Sequence, residues 1–346
     1  MALAGNHLWE RNVPLMTEMH AIVAPRGLPI SDPGSLVDMT LPRPQLGPRD
    51  ILVRVEAVSV NPVDVKRRAS STVPVVLGFD AAGTVDAIGE DVTHYAVGDE
   101  VYYAGAVNRP GSNAEFQAVD ERIVGRKPST LTFAEAAALP LTAITAWESL
   151  FERFRLTSES EGDLLVLAGA GGVGSILTQL AKKLTRVRVI ATASRADSRE
   201  YALAMGADLV VDHTGDLASA VLDVAPDGMD YIFSSHTKGS IEAFVKIAKP
   251  FGAITAIDGH PDLPLEKLQQ KSVTWHWEWM FTRPVSQTPD MGEQRALLNR
   301  VAELVDDGTL VTTLQTTITG FTAENLREAH RLVETGRTVG KVVVTR

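Results

Sequence analysis

Two hydrophobic patterns divide the chain near residue 141. From Met19 to Leu141, short runs of β-branched and other apolar residues, such as Ile51–Val60, alternate with turns rich in glycine and proline. Short apolar runs at this spacing are typical of the strands of a β-sandwich or a β-barrel. The first pattern therefore predicts a barrel-like β domain.

Beyond residue 141, short and fully apolar runs alternate with stretches of helical spacing. The runs predict strands at 163–168, 188–193, 208–211, 229–233 and 251–257, with intervening helices that include 173–184, 197–205 and 240–248. This alternation predicts a doubly wound parallel sheet in a segment of about 140 residues. The predicted fold class is therefore α/β, with a β-barrel domain beside a Rossmann sheet.

The segments that flank the parallel sheet also contain predictable elements. Thr132 and Glu135 form a capping box that begins a helix over 132–138, and a second helix over 142–151 leads into the sheet. The tail of the chain predicts a helix over 294–307, a strand over 312–318, a helix over 323–335 and a strand over 341–345.

A glycine-rich turn lies between the first parallel strand and its helix. Gly169, Gly171 and Gly174 form the pattern G-x-G-x-x-G, with Gly172 and Val173 inside it. The first glycine permits a tight turn, the second lets the backbone approach a pyrophosphate, and the third lets helix and strand pack closely. Free N–H groups and the dipole at the start of the helix favour negative charge. The motif therefore predicts a dinucleotide-binding site.

The tip of the second parallel strand indicates which dinucleotide binds. An NAD site usually has Asp or Glu about 20 residues after the glycines, to bind the ribose 2′-hydroxyl. Here Ser194 and Arg195 lie at the tip, and the first carboxylate is Asp197. A hydroxyl and a guanidinium suit a 2′-phosphate, because arginine offers paired donors and a permanent charge. Lys182, on the helix after the turn, is either a second phosphate-binding cation or an ordinary solvated residue. We predict NADPH as the cofactor.

Composition and charge exclude several classes of function. With 43 acidic and 33 basic side chains the net charge is −10, so we expect no nucleic-acid partner. No apolar run of 18 residues is present, and residues 1–18 lack the apolar core of a signal peptide. We therefore expect no membrane partner and a cytoplasmic location. Residues 1–18 are interpreted as an N-terminal extension or a cloning remnant, with Met16 or Met19 as the natural start.

Several short motifs, spread from Met19 to the end of the chain, resemble those of one superfamily. They are Ser59-Val-Asn-Pro-Val-Asp64, Gly78-Phe-Asp-Ala-Ala-Gly83, Ala136-Ala-Ala-Leu-Pro140, the glycine turn and Gly340-Lys-Val-Val-Val344. With these motifs the chain resembles the medium-chain dehydrogenase/reductase superfamily, in its zinc-independent quinone oxidoreductase branch. Within that branch it is similar to the subgroup often labelled zinc-type alcohol dehydrogenase-like protein.

The resemblance implies the domain organisation and the position of the active site. A GroES-like catalytic domain (19–141 and 284–346) is completed by the C-terminal segment, and a Rossmann NADP-binding domain (142–283) is inserted into it. The active site is implied to lie in the cleft between the two domains. A homodimer formed through the nucleotide-binding domain is implied as well.

One departure from the superfamily concerns the metal. Zinc-dependent members have a zinc-binding cysteine, a Gly-His-Glu run and a four-cysteine lobe, whereas this chain has no cysteine and has Gly78-Phe79-Asp80 in place of the run. Phe79 cannot bind a metal, and Asp80 alone is a poor site because catalytic zinc needs about three protein ligands. We therefore predict that the protein has no metal site.

The resemblance places the candidate catalytic residues in a loop that faces the nicotinamide. Asn61 is predicted to donate to a substrate oxygen or to orient a water molecule. Asp64 is predicted to hold Asn61 or to bind Lys66 or Arg67. The alternative is that this Asn-Pro loop is only a scaffold. Thr145, on the helix that joins the domains, is predicted to bond the nicotinamide side of the cofactor.

Further candidates follow the fourth and fifth parallel strands, whose carboxyl ends form the ligand crevice in such sheets. They are Ser234, His236 and Asp258. His236 is also a candidate proton donor, or else a solvated loop residue.

An apolar pocket for the acceptor is predicted from Phe79, Tyr103, Met280 and Phe281. For the adjacent Tyr102 and Tyr103, the alternative is that one packs in the core and the other lies at the surface.

These inferences combine into one predicted function. Without zinc, nothing in the site polarises a simple alcohol, whereas a conjugated acceptor spreads the developing charge itself. We predict an NADPH-dependent oxidoreductase that transfers a hydride to a quinone or an α,β-unsaturated carbonyl compound. Two alternatives stay open: an alcohol or aldehyde dehydrogenase with an unusual metal site, and a non-catalytic nucleotide-binding protein.

Overall fold

The computed structural model describes residues 18–346, which form three β-sheets and the helices that cover them. The interpretation of the N-terminal extension falls on residues outside this range, except for Glu18, which opens the first strand. The strands, numbered in chain order, are β1 (Glu18–Ala24), β2 (Val37–Pro42), β3 (Asp50–Ser59), β4 (Val75–Val76), β5 (Ala81–Ile88), β6 (Glu100–Tyr103), β7 (Phe116–Asp120), β8 (Val124–Arg126), β9 (Asp163–Val166), β10 (Arg188–Thr192), β11 (Leu209–Val211), β12 (Met229–Ser234), β13 (Ala248–Ala256), β14 (Thr274–Trp277), β15 (Leu314–Thr319) and β16 (Lys341–Thr345).

Helices connect most of these strands. They are α1 (Pro62–Ser70), α2 (Phe133–Ala137), α3 (Pro140–Trp147), α4 (Gly172–Leu184), α5 (Ala196–Ala204), α6 (Leu217–Leu222), α7 (Ile241–Ile247), α8 (Thr282–Ser286), α9 (Glu293–Asp306) and α10 (Ala323–Glu334). A π-helix (Glu148–Arg153) continues α3, and short 3₁₀ helices cover Pro33–Ser35, Glu121–Ile123 and Leu265–Lys271.

Two sheets build the barrel-like part. One has the order β2-β1-β4, and the other has the order β15-β16-β3-β5-β6-β8, with β7 also paired to β3. The last strand, β16, is antiparallel to β3, so the C-terminal segment completes a sheet that begins near the N-terminus. Chain segments separated by the whole parallel sheet therefore share one barrel core.

The third sheet is parallel and has the order β11-β10-β9-β12-β13-β14. This is the doubly wound order 3-2-1-4-5-6, with its switch point between β9 and β12. Alternate residues of β9 enter opposite cores: Leu164 and Val166 pack toward the barrel, and Leu165 packs against Ile190 and Ile232 on the other face. Burial on both faces explains the continuous apolar run in the sequence. The predicted fold class is confirmed.

Most predicted elements match the observed ones to within a few residues, with several differences. The strand β14 was not predicted, because none of its four residues is fully buried and the segment lacks an apolar run. The strand β13 begins at Ala248, three residues before the predicted start. The prediction of a loop is wrong for Asp64, which lies in the first turn of α1, because α1 begins at Pro62 and proline is favoured in the first turn of a helix. Asn61 is the extended N-cap residue just before the helix.

The barrel and the parallel sheet meet along the glycine turn. Gly340 donates its backbone N–H to the carbonyl oxygen of Ala170 at 2.8 Å, and Gly340 and Gly171 form a parallel bridge. The proposed domain boundaries, 141/142 and 283/284, fall between the strands of the barrel and those of the parallel sheet.

A pair of buried carboxyl groups lies where α3 passes into the π-helix. Glu148 is 2% exposed and Glu278 is 3% exposed, with Arg283 donating to Glu148 and Arg153 Nε donating to Glu278 Oε2 at 2.8 Å. Glu278 Oε1 is buried and has no hydrogen-bond partner among residues 18–346. Burial, together with the neighbouring Glu278, raises the pKa of Glu148 to about 9.

This pair predicts a pH dependence of stability. Between the ordinary glutamate pKa and about 9, folded Glu148 keeps a proton that the unfolded chain releases, so the unfolding free energy falls as the pH rises through this window. Glu148→Gln should therefore flatten the decline by up to about 1.4 kcal/mol per pH unit. Urea unfolding at a series of pH values measures the slope, with the exposed Glu159→Gln as control. Parallel slopes for wild type and Glu148→Gln would contradict the assignment.

Candidate active site

Packing fixes the shape of the glycine turn. A Cβ added at Gly169 would lie 2.5 Å from Cβ of Ala191 on β10, and one at Gly174 would lie 2.4 Å from the carbonyl oxygen of Ala168. At Gly171 an added Cβ would meet only the Ala168 carbonyl, at 3.2 Å. The first and third glycines are thus required by the close approach of strand and helix, and the second lies at the more open side of the turn.

The start of α4 can accept an anion. Gly171 is its N-cap residue and offers no side chain to the first-turn N–H groups, which belong to Gly172, Val173 and Gly174. The first turn also has no acidic residue. Uncapped N–H groups and the helix dipole favour a phosphate here, so these residues fit a dinucleotide pyrophosphate.

One guanidinium group lies at the tip of β10. Ser194 follows the strand, and Arg195 is the N-cap residue of α5. Arg195 Nη2 donates to the carbonyl oxygen of Arg337 at 2.7 Å, and its Nε lies 3.2 Å from Asp197 Oδ1. Arg337 belongs to the loop between α10 and β16, so this loop meets the tip of β10 through its backbone.

The structure does not bring Lys182 to the same place. At 1.5 Å per residue, the ten residues from Gly172 place it about 15 Å along α4 from the turn. Its Nζ is 2.9 Å from both carboxylate oxygens of Asp208, just before β11. Lys182 therefore lies near the amino ends of the parallel strands, whereas Arg195 lies at their carboxyl ends, and Lys182 is not among the proposed cofactor contacts.

The loops after β12 and β13 are joined by hydrogen bonds. Ser234 Oγ lies 2.9 Å from Thr237 Oγ1, and the backbone N–H of Thr237 donates to Asp258 Oδ2 at 2.7 Å. The structure thus brings Ser234 and Asp258 together through Thr237. His236 is exposed, and its Nδ1 lies 3.1 Å from Ser235 Oγ.

A buried polar cluster lies between the barrel and the glycine turn. Lys341 Nζ donates to Asp80 Oδ2 at 2.9 Å and to Asn61 Oδ1, and Asn61 Nδ2 donates to the same Asp80 oxygen at 2.8 Å. Lys341 is 4% exposed, Asn61 2% and Asp80 0%. The amide of Asn61 is therefore directed inward, into this cluster.

The cluster also fixes the start of α3. The backbone N–H of Leu141 donates to Asp80 Oδ1 at 2.7 Å. One turn later, Thr145 Oγ1 donates to the carbonyl oxygen of Leu141 at 2.8 Å. Asp80 thus anchors the helix that holds Thr145, which is itself buried.

Asp64 has a separate set of donors. Its two oxygens accept the backbone N–H groups of Asn61 and Gly78, each at 2.9 Å. This capping bond joins Asp64 to Asn61 through the backbone. Burial raises the pKa of Asp64 to about 7, although the two N–H groups oppose the shift. Burial also raises the pKa of Asp80, and the charge of Lys341 opposes that shift.

The residues predicted for the acceptor pocket are all buried. The rings of Phe79 and Phe281 meet edge to face, with centroids 5.5 Å apart. Met280 is buried beside Phe281, and Tyr103 is buried in the barrel core. The expectation that one of Tyr102 and Tyr103 lies at the surface is wrong, because β6 is covered on both faces and the two are 0% and 1% exposed.

The residues present do not fit a catalytic zinc. Within residues 18–346, no three histidine or carboxylate side chains are grouped so that they could hold a metal ion. Phe79 is apolar, and both oxygens of Asp80 already accept hydrogen bonds. About three protein ligands are needed for such a site.

Three residues of this region were missed from the sequence: Lys341, Thr237 and Arg337. Lys341 was seen only as part of a matching motif at the end of the chain. The sequence contains one signal for its role: a lysine opens a strand whose next three residues are valines. A lysine is rarely buried without a partner, so its place in a buried strand indicates a charged partner. Nothing in the local pattern distinguishes Thr237 or Arg337 from ordinary loop residues.

No helix within residues 18–346 is long and apolar enough to cross a membrane.

Comparisons with known proteins agree with this architecture. The model of the alcohol dehydrogenase GroES-like domain matches residues 47–146, and that of a zinc-binding dehydrogenase domain matches residues 205–344. A zinc-type alcohol dehydrogenase-like protein of Staphylococcus aureus is 43% identical over 303 residues, which cover 85% of this chain and 90% of the relative. The chloroplastic NADPH-dependent alkenal/one oxidoreductase of Arabidopsis thaliana is 37% identical over 229 residues, 62% of this chain and 57% of the relative.

A solved structure has the same fold. A protein from Rhizobium etli CFN 42, described provisionally as a zinc-dependent alcohol dehydrogenase, superposes with a TM-score of 0.91 at 46% identity. The superposition covers 96% of this chain and 99% of that one. The doubly wound sheet, the barrel completed by the C-terminal strand and the matched relatives lead to one conclusion: the chain belongs to the medium-chain dehydrogenase/reductase superfamily.

Proposed function

We propose that this protein is an NADPH-dependent oxidoreductase that transfers a hydride to a quinone or an α,β-unsaturated carbonyl compound without zinc. The observation on which the proposal rests is the buried Asn61–Asp80–Lys341 cluster directly behind the glycine turn. The cluster satisfies its own charges without a metal. The relative named as an NADPH-dependent alkenal/one oxidoreductase supports the choice of cofactor and acceptor.

NADPH fits the residues of the nucleotide-binding side. The first-turn N–H groups of α4 would hold the pyrophosphate, and Arg195, at the tip of β10, would hold the 2′-phosphate. The loops that contain Ser234 and Asp258 lie at the carboxyl ends of β12 and β13, where the nicotinamide would bind. When bound, the cofactor supplies the hydride.

The residues of the barrel side position the acceptor and exclude water. Because its amide donates to Asp80, we propose Asn61 as a positioning residue and not as a direct donor to the substrate. Phe79 and Phe281 form an apolar wall next to the cluster. An acceptor whose conjugation spreads the developing negative charge needs little further stabilisation, which a simple aldehyde would require from a metal.

The homodimer and the cytoplasmic location stay predictions.

The cofactor choice can be tested with Arg195→Gln. The change removes the cation proposed for the 2′-phosphate, so it should weaken NADPH binding roughly tenfold and leave NADH binding within about twofold. Fluorescence titration of the two cofactors measures both affinities. The exposed Arg186→Gln is the control. Equal losses for NADPH and NADH would contradict the assignment.

The acceptor class can be tested by following NADPH oxidation with quinones, enones and saturated aldehydes. We expect turnover with quinones or enones and a kcat/KM lower by roughly 100-fold for saturated aldehydes, which lack conjugation. Comparable aldehyde turnover that a chelator abolishes would instead support a metal-dependent dehydrogenase. NADPH binding without turnover of any acceptor would support a non-catalytic protein.

A further inference from the structure

The side chain of Lys341 passes directly beneath the cofactor turn. A Cβ added at Gly172 would lie 2.7 Å from Lys341 Cδ and 3.3 Å from Thr142 Cγ2. The stem therefore packs on the first residue of α4, while Nζ reaches Asp80 and Asn61 on the barrel side. One side chain thus contacts both halves of the candidate site.

The backbone of Lys341 is held as firmly as its side chain. Its N–H donates to the carbonyl oxygen of Thr313 at 2.9 Å, and that of the preceding Gly340 donates to Ala170 inside the turn at 2.8 Å. A Cβ at Gly340 would lie 2.4 Å from the Thr313 carbonyl oxygen, so the chain passes here with no room for a side chain. A shift of Lys341 therefore displaces the turn, and a shift of the turn displaces Lys341.

The ammonium also fixes the orientation of the Asn61 amide. Lys341 Nζ is a pure donor and needs the amide oxygen, whereas Asp80 is a pure acceptor and needs the amide nitrogen. Without the cation, the amide oxygen of Asn61 loses its donor. The carboxyl of Asp80 would then also lack the charge that opposes its protonation.

We propose that Lys341 is a positioning residue that sets the cofactor turn and the Asn61–Asp80 cluster relative to each other, so that cofactor affinity and turnover depend on the same side chain. The effect on turnover rests on the proposed function. The effect on cofactor affinity does not, and it is measured without any acceptor.

The test compares Lys341→Met, Lys341→Arg and a matched control. Lys341→Met keeps the stem and removes the charge, and Lys341→Arg keeps a charge. The control is Lys249→Met, which removes a partly buried ion pair with Asp230 (2.7 Å). This pair lies at the amino ends of β12 and β13, whereas the glycine turn lies at the carboxyl end of β9. The NADPH dissociation constant, kcat, KM for the acceptor and Tm are measured for each variant.

We expect Lys341→Met to raise the NADPH dissociation constant and to lower kcat, each by roughly tenfold or more. Lys341→Arg should lose less of both, and Lys249→Met should lower Tm while both quantities stay within about twofold of wild type. The acid limb of the kcat/KM profile should move to higher pH in Lys341→Met, because the pKa of Asp80 rises when its cation is removed.

The double variant Asp80→Asn/Lys341→Met keeps the proposal testable if the single variant does not fold, since it leaves no unpaired buried charge. It should bind NADPH as weakly as Lys341→Met does. A Lys341→Met or double variant with NADPH affinity within about twofold of wild type would overturn the proposal. So would equal effects of Lys341→Met and Lys249→Met. If no acceptor is turned over, the proposed function fails, and the NADPH affinities still decide the role of Lys341.

Discussion

The buried ion pair between Lys341 and Asp80 is the interaction on which the site depends. Moving two charges out of water is costly, and the cost is offset only when geometry and additional hydrogen bonds are good. Here Asp80 also accepts from Asn61 and from the backbone of Leu141, so each of its oxygens has a donor. Losing either charged partner would leave an uncompensated buried charge. The pair therefore joins three elements: Lys341 belongs to the C-terminal strand, Leu141 to α3, and Asn61 lies at the start of α1.

This arrangement explains how a member of a superfamily with zinc-dependent branches can have an ordered site without cysteine. Asp80 stands in the Gly78-Phe79-Asp80 run, where the zinc-dependent members have Gly-His-Glu. In this chain the neighbouring positive charge belongs to Lys341, 2.9 Å from the Asp80 carboxylate. A lysine ammonium has no open coordination position and cannot act as a metal does on a simple alcohol. The expected acceptors are therefore those already activated by conjugation.

Much of the fold could be predicted from the sequence, because its strongest signals are local. The apolar run before the glycine turn, the helical spacing after it and the Thr132–Glu135 capping box involve residues within a few positions of one another. The glycine turn was found for the same reason. The helix α1 was missed because Asn-Pro also begins turns, and its charged sequence has few apolar residues to show a helical period.

The polar cluster could not be predicted, because its members come together only in the folded chain. Lys341 and Asp80 are 261 positions apart, and they meet because β16 pairs with β3 inside the barrel. Arg195 donates to the backbone carbonyl oxygen of Arg337, 142 positions away, through the same return of the chain. Lys182 shows the converse: it is close to the glycine turn in sequence, yet the length of α4 places it near the amino ends of the strands, away from the turn.

The central claim is that an ordered, zinc-free cluster lies behind the cofactor turn of an active reductase. Elemental analysis of purified protein, performed on the same sample whose NADPH-dependent turnover of a quinone or enone is measured, tests it most directly. The account predicts full turnover with zinc far below one atom per chain and no loss after dialysis against a chelator. Stoichiometric zinc, with turnover that disappears when the zinc is removed and returns when it is restored, would contradict the account.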